Sequence, residues 1–324
     1  EELYLFLRQR QAEMGISKSS YVASANVIDY AVSNYFSLYP KTSQNYGIAG
    51  FLGLIVPLLI LVISDLLDNK IKTKNDLDKA TPIPLAGIIG HNDKTTNLAI
   101  FSNQKSSVSE SFRAIRAGLD FFAQEKKNDS RIFLVTSSIS GEGKTFCSIN
   151  LASIFSLSGK PTVIIGVDLR KPKIYMDFDL TNQVGLTNYL IGEVTSEEII
   201  QNTAYPNLDM ISAGPVPPNP SELILSKRFQ ELMDDLRKKY TYIVLDTPPI
   251  GVVADAFELM KYSDWNLYVV RYNYTRKPLL NYVNDSYKNG SVNNIAVVLN
   301  DFNIDGGYGY GYGYGYGYGY GYGY

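Results

Sequence analysis

At 324 residues the chain is long enough for about two domains. A hydrophobic share of 45% is that of a globular protein, and a formal net charge of −2 gives no electrostatic reason to bind nucleic acid. The single cysteine, Cys147, excludes an internal disulfide framework, as suits a chain whose bulk lies in a reducing compartment.

The chain starts at Glu1 with neither methionine nor signal peptide and is expected to be a fragment or mature piece of something longer. Its opening, LYLFLRQRQAEM, has a helical look and leads into a Ser/Asn/Tyr-rich stretch. Residues 1–46 are too few to fold alone and read as the end of an extracytoplasmic domain. Residues 47–67, GIAGFLGLIVPLLILVISDLL, carry no charge before Asp65. As a helix they span about 31 Å, the thickness of a bilayer core. A buried core helix is the alternative, but such helices rarely run so far uncharged, and Pro57 suits a membrane helix better. Lys41 is the one basic residue in the twenty before the span, whereas Lys70, Lys72, Lys74 and Lys79 follow within a dozen. The positive-inside rule then places the chain after about Asp68 in the cytoplasm and residues 1–46 outside.

Residues 68–104 are polar, contain TPIP at 81–84, and read as a cytoplasmic linker; His91 within them has no ligand partners nearby in the sequence and is expected to be a surface residue. From 105 to 305 the pattern alternates. Apolar runs at 131–138, 162–167, 208–214, 242–246, 267–270 and 295–300 are mostly separated by helical patterns. Runs apolar on both faces and spaced by helices predict a doubly wound α/β domain with a mostly parallel sheet.

Between the first of these strands and an apolar-striped helix from Gly143 to about Ser158 lies SSISGEGKT, 137–145, the setting a phosphate-binding P-loop requires. Gly141 and Gly143 let backbone N–H groups turn inward, and the helix N-terminus adds the positive end of its dipole. Lys144 supplies a mobile charge for the β/γ-phosphates, and Thr145 a hydroxyl for Mg²⁺. The nucleotide-binding candidates are therefore Ser140, Gly141, Glu142, Gly143, Lys144, Thr145 and Phe146, with ATP and Mg²⁺ as the expected ligands. Ser138 stands where the motif has its first glycine. A carboxylate ending a buried strand beside such a loop is where the metal sits, which points to Asp246 in YIVLD. Asp168 in VIIGVDLRK is a second acid at a strand tip, with a helix N-cap as the plainer reading. Cys147, on the loop's helix, is expected to be core.

Taken together, SISGEGKT, VIIGVDLR, YIVLD and the tyrosine-rich end resemble the bacterial tyrosine kinases fused to the polysaccharide co-polymerases of capsule and exopolysaccharide export. ESFRAIR, with Glu110, Arg113 and Arg116, matches that family's E-x-x-R-x-x-R element, and PNPSELILS and VVRYNYTR also look like it. The likeness covers nearly the whole chain. It implies a membrane-anchored protein-tyrosine kinase with Lys144, Asp168 and Asp246 as catalytic residues and Thr145, Asp168 and Asp246 as metal ligands. It further implies assembly through Glu110, Arg113 and Arg116 into a ring homo-oligomer, for which an octamer is one size. Partners would be the polysaccharide polymerase and export machinery and a cognate tyrosine phosphatase, at the bacterial inner membrane.

Two positions depart from relatives. The family's A′ motif carries two aspartates, and the first is Gly166 here, so a catalytically weak nucleotide-binding scaffold controlling polysaccharide chain length is a rival reading. Related partition and cell-division ATPases carry a lysine five residues before the P-loop lysine; here that position is Ile139, as expected for the kinases.

The tail, 306–324, alternates Gly and Tyr: Tyr308, Tyr310, Tyr312, Tyr314, Tyr316, Tyr318, Tyr320, Tyr322 and Tyr324. No packed fold needs this, and a disordered segment serving as an autophosphorylation cluster is expected. Extended at about 3.3 Å per residue, it reaches roughly 60 Å. Each phosphate adds about −1.5 to −2 charges, so phosphorylated tails would repel one another. A sticky low-complexity segment driving association is the competing reading.

Overall fold

The computed structural model describes residues 1–20, 28–32, 39–122, 130–251 and 255–303. The expected tail and its nine tyrosines lie outside the described residues. The chain divides into two compact units, Glu1–Leu67 and one beginning at Asp68.

The first unit holds α1 (Glu2–Ser20) and α2 (Thr42–Leu67). Within α2 the segment Thr42–Ser64 has a mean hydropathy of 2.6 and no buried residue, so it is long and apolar enough to cross a membrane. Phe51, Leu54, Leu58 and Leu61 are all exposed along it. Pro57 lies inside the helix.

In the second unit the elements follow in order: α3 (Lys74–Ala80), β1 (Leu85–Gly90), α4 (Ala99–Ser102), α5 (Ser107–Phe122), β2 (Arg131–Ser137), α6 (Lys144–Ser156), β3 (Thr162–Gly166), α7 (Ile174–Asp177), α8 (Leu186–Ile191), β4 (Ile200–Asn202), β5 (Leu208–Ile211), α9 (Pro220–Ile224), α10 (Lys227–Lys239), β6 (Tyr242–Asp246), α11 (Asp255–Leu259), β7 (Trp265–Arg271), α12 (Asn281–Lys288) and β8 (Ile295–Phe302). The sheet order is β1-β8-β7-β2-β6-β3-β5-β4. Every pairing is parallel except the short β4 edge against β5. The expected mostly parallel sheet is what the chain forms.

Alternation along the central strands divides the core. Ile132, Leu134, Ile243 and Leu245 pack on one face, while Phe133, Val135, Val244 and Ile164 pack on the other beneath α5 and α6. Both faces are dry, which is why the strands read as continuous apolar runs.

Residues 68–104 are a correction to the sequence reading: they are not a linker. Ile71, Leu77 and Ile83 are buried in one core face and Ile89, Ala99 and Ile100 in the other. β1 extends the sheet beside β8. Thr73 caps α3, accepting from the Asp76 N–H at 3.0 Å while the Asp76 carboxylate accepts from the Thr73 N–H at 3.1 Å. The strand LAGIIG is six residues long with two glycines, so its apolar signal is too weak to stand out in sequence.

Candidate active site

Parallel strands align their C-terminal ends, and the loops leaving that edge are where such sheets bind ligands. β2, β3, β6, β7 and β8 deliver the phosphate loop, Asp168, Asp246, Arg271 and Asn300 to one edge of the sheet. The loop itself is held open by left-handed glycines, Gly141 at φ +90° and Gly143 at φ +93°, conformations that side chains resist. A Cβ on Gly143 would lie 2.0 Å from Asn300 Nδ2, and one on Gly141 would lie 2.8 Å from the Tyr274 hydroxyl.

Lys144 opens α6, and its Nζ stands 3.5 Å from Asp168 Oδ2. Thr145 Oγ1 donates to Asp246 Oδ2 at 2.9 Å, and Ser148 Oγ donates to Asp246 Oδ1 at 3.1 Å. Asp246 is buried at the end of β6, and burial pushes its carboxyl above the usual range, against the pull of Lys144 and the two hydroxyls. Asp168 Oδ1 also accepts the Lys171 N–H at 3.1 Å, but the N-cap of the next helix, α7, is Lys173, so Asp168 caps no helix. The fold thus brings Lys144, Thr145, Asp168 and Asp246 together at one edge of the sheet.

A nucleotide with its metal fits this arrangement. The left-handed glycines let the loop curl with Asn300 and Tyr274 packed where their Cβ atoms would lie, the first-turn N–H groups of α6 lack intrahelical partners, and the oxygen donors suit a hard cation such as Mg²⁺. Among the described residues no three His, Cys, Asp or Glu side chains cluster as a self-sufficient metal cage.

Other candidates take different places. The Glu142 side chain is fully buried, accepting from Thr275 Oγ1 at 2.5 Å and from the Ile139 N–H at 2.8 Å. Burial raises its pKa against those bonds. Its side chain braces the loop from beneath. Phe146 packs toward Phe112, with ring centroids 6.2 Å apart, leaving its backbone for a ligand. Cys147 is buried, and desolvation, with the nearby Asp246 charge, pushes its thiol far above the usual range. Gly166 closes β3 in register with Asp246. A Cβ there would meet Ile174 Cγ2 at 3.0 Å, so Ile174 occupies the space into which a side chain at 166 would project.

Glu110, Arg113 and Arg116 lie apart from this edge, on α5. Arg113 pairs with Glu110 one turn away and donates to the Gln104 carbonyl at 2.8 Å. Arg116 donates to the Ile154 carbonyl in the last turn of α6 at 3.1 Å.

A family model described as an AAA domain matches residues 130–274, the stretch carrying the loop and both acids. The crystal structure of the chimerical protein CapA2B2 superposes with a TM-score of 0.66 at 32% identity, covering 71% of this chain and all of that one. The tyrosine-protein kinase YwqD of Bacillus subtilis is 37% identical over 181 residues, which is 56% of this chain and 76% of the relative. The chain belongs to the bacterial tyrosine kinases. The kinase domain of the Escherichia coli tyrosine kinase Etk superposes with a TM-score of 0.64 at 27% identity, covering 72% of this chain and 95% of that domain. The likeness to the tyrosine-protein kinase Ptk of Acinetobacter johnsonii, 29% identical, takes in 93% of this chain, α2 included. This bacterial tyrosine kinase chain spans 42% of Ptk's length, about two fifths of that relative.

Several residues at the site carried no role in the sequence reading. Arg271 Nη1 donates to the Gly141 carbonyl at 2.8 Å, and the Tyr274 hydroxyl donates to the Ser140 carbonyl at 3.0 Å. Asn300 Nδ2 donates to the Glu142 carbonyl at 3.0 Å. Arg271 and Tyr274, with Thr275 that donates to Glu142, sit in VVRYNYTR, a stretch whose only signal in the sequence is its family likeness. His91 is exposed as expected, and its Nδ1 lies 2.5 Å from Oδ1 of Asp301, a partner 210 positions on.

Proposed function

We propose that this chain is the catalytic part of a membrane-anchored, ATP-dependent protein-tyrosine kinase that phosphorylates the tyrosine tail of a neighbouring copy. The observation that carries the reading is the coexistence, in one chain, of the Lys144–Thr145–Asp168–Asp246 constellation and nine tyrosines on a glycine string. The N–H groups of Ser140 to Phe146 and the Lys144 ammonium hold the β/γ-phosphates of ATP. Thr145 and Asp246, with Asp168, hold Mg²⁺. Bound there, Mg²⁺ supplies neutralisation of the charge on the transferring phosphoryl oxygens.

The acceptor phenol, with an ordinary pKa of about 10, is protonated at neutral pH. Asp246 is buried and tied to two hydroxyls, so it is poorly placed to take that proton. Asp168 is the more accessible acid, and Lys144 steadies its charge. In the transfer the phenol oxygen bonds to the γ-phosphorus, the bond from that phosphorus to the β–γ bridging oxygen breaks, and the phenol proton passes to Asp168. ADP leaves carrying the former bridging oxygen.

Copies associate through Glu110, Arg113 and Arg116 of α5 into a ring, and tail phosphorylation disperses it by mutual repulsion. α2 holds the assembly in the bacterial inner membrane, with the kinase domain and tail cytoplasmic and residues 1–46 outside. The polysaccharide polymerase and export machinery and a tyrosine phosphatase are its partners. Mass spectrometry of the purified chain after incubation with ATP and Mg²⁺ tests the reading: phosphate on Tyr308 to Tyr324 supports it, and an unmodified tail refutes it. A second reading, a nucleotide-binding scaffold for chain-length control, draws on the filled space at Gly166. Nucleotide binding with an unmodified tail would favour the scaffold.

A further inference from the structure

Arg271 ends β7, and its guanidinium reaches two places at once. Nη1 donates to the Gly141 carbonyl at 2.8 Å, and Nε donates to Asp301 Oδ2 at 2.9 Å. The same cation lies 5.2 Å from the Tyr274 ring centroid, whose hydroxyl holds the next carbonyl, that of Ser140. Asp301 sits in the left-handed region at φ +61°, a conformation that costs most residues energy and that Asp tolerates better. The other Asp301 oxygen, Oδ1, takes His91 Nδ1 at 2.5 Å. His91 directly follows β1, and its own N–H donates to the Phe302 carbonyl of β8 at 3.1 Å, so its backbone is tied to the strand that carries Asp301. A cavity of about 320 Å³ opens beside this chain of contacts, lined by His91, Arg271, Tyr274 and Asp301 among others.

We propose that Arg271, anchored by Asp301, is a positioning residue that sets the shape of the phosphate loop, and that His91 makes this brace respond to pH. This rests on the reading that the loop binds nucleotide. The charged groups facing His91 are Asp301 from β8, Asp93 from its own loop and Arg271 from β7. The Asp301 carboxylate beside the ring holds the imidazole pKa above its ordinary value, with Asp93 adding to that and Arg271 opposing it. Protonated, His91 makes a charge-assisted bond to Asp301 Oδ1 and so fixes the carboxylate that anchors Arg271 beside the loop. As pH rises through the raised pKa that charge assistance is lost, so nucleotide affinity falls with rising pH. By linkage, bound nucleotide raises the His91 pKa in return.

The test is ADP binding to the full chain in detergent with Mg²⁺, by calorimetry from pH 6.5 to 9. Losing a charge-assisted bond to a loop carbonyl, Arg271→Ala weakens ADP binding by about tenfold. Asp301→Asn weakens it by less. The double variant is no worse than Arg271→Ala alone, because both act through one brace. In ATP-dependent tail labelling KM rises while kcat stays within about twofold, which a general loss of structure would not produce. His91 is exposed, so its contribution is modest: the affinity ratio of parent to His91→Gln falls about two- to threefold across the pH range, and stays flat in the Arg271→Ala background. Should Arg271→Ala fail to fold, Arg271→Lys keeps the charge but cannot bond Asp301 and Gly141 together, and the same weakening is expected. Equal ADP affinity in parent and Arg271 variants, additive Arg271 and Asp301 effects, or a pH-independent His91 ratio overturns the brace alone. A parent chain that binds no ADP overturns the nucleotide reading beneath it.

Discussion

Replacing Asp246 with asparagine should separate folding from function, because the carboxylate is costly without its ligands. Asp246 is buried, and its charge is opposed by desolvation and by Asp168, with Lys144, Thr145 and Ser148 as partial compensation. Asparagine keeps the shape and can satisfy both hydroxyls, since Ser148 Oγ also donates to the Lys144 carbonyl at 2.9 Å and can accept an amide proton. Neutralising a buried, incompletely paired ion of this kind stabilises by about 1–2 kcal/mol. For a domain of this size each kcal/mol shifts Tm by about 2–4 °C, so the nucleotide-free variant should melt about 2–8 °C higher. The sign with pH follows from the raised folded-state pKa. Between the ordinary carboxylate value and the raised one, the folded state holds the proton more tightly, so the parent loses stability as pH rises through that window. The gain from Asp246→Asn therefore grows with pH until the folded group has ionised. Fluorescence of the single tryptophan, Trp265 at the start of β7, reports the melt. Tail labelling should fall at least about 100-fold, as expected on losing a metal carboxylate worth several kcal/mol. A variant that melts below the parent at pH 8, or whose Tm difference does not grow between pH 4 and pH 8, would show that the buried Asp246 charge does not destabilise the fold.

Gly166→Asp should cost about 1–3 kcal/mol, because its Cβ presses on Ile174 and its charge lies in register beside Asp246. Adding Ile174→Leu, which removes the Cγ2 methyl while keeping the volume of this buried side chain, should recover part of that Tm and raise the labelling rate above that of Gly166→Asp alone. Arg113→Ala with Arg116→Ala should lower Tm by only a few degrees, through the lost bond to the Ile154 carbonyl, yet abolish rings in sedimentation velocity. Cys147 should resist iodoacetamide in the folded chain and react once the Trp265 signal shows unfolding, since burial holds the thiol protonated.

Most of the sheet was legible because doubly buried strands write themselves as unbroken apolar runs; all six expected runs are strands. The phosphate loop was legible because its glycines, lysine and threonine each perform their task locally. β1 was not, since LAGIIG interrupts its apolar run with glycine and draws its burial from β8, more than two hundred residues away. The loop's bracing was equally hidden. Arg271, Tyr274 and Asn300 bond to backbone carbonyls of Gly141, Ser140 and Glu142, and a carbonyl acceptor leaves no mark on the sequence. His91 looked isolated for the same reason, its partner Asp301 lying 210 positions on. Gly166 was visible as a departure, but its physical meaning, a space filled by Ile174, needed coordinates.

Transfer between copies is tested most directly by splitting the two halves of the reaction. One chain carries Lys144→Met with its tail intact, and the other has an intact phosphate loop but ends at Asp305. Each is incubated with radiolabelled ATP and Mg²⁺, alone and mixed. No label is expected on Lys144→Met alone, and label on its tail tyrosines only in the mixture. Label on Lys144→Met alone, or a mixture whose tail stays unlabelled, would contradict transfer between copies.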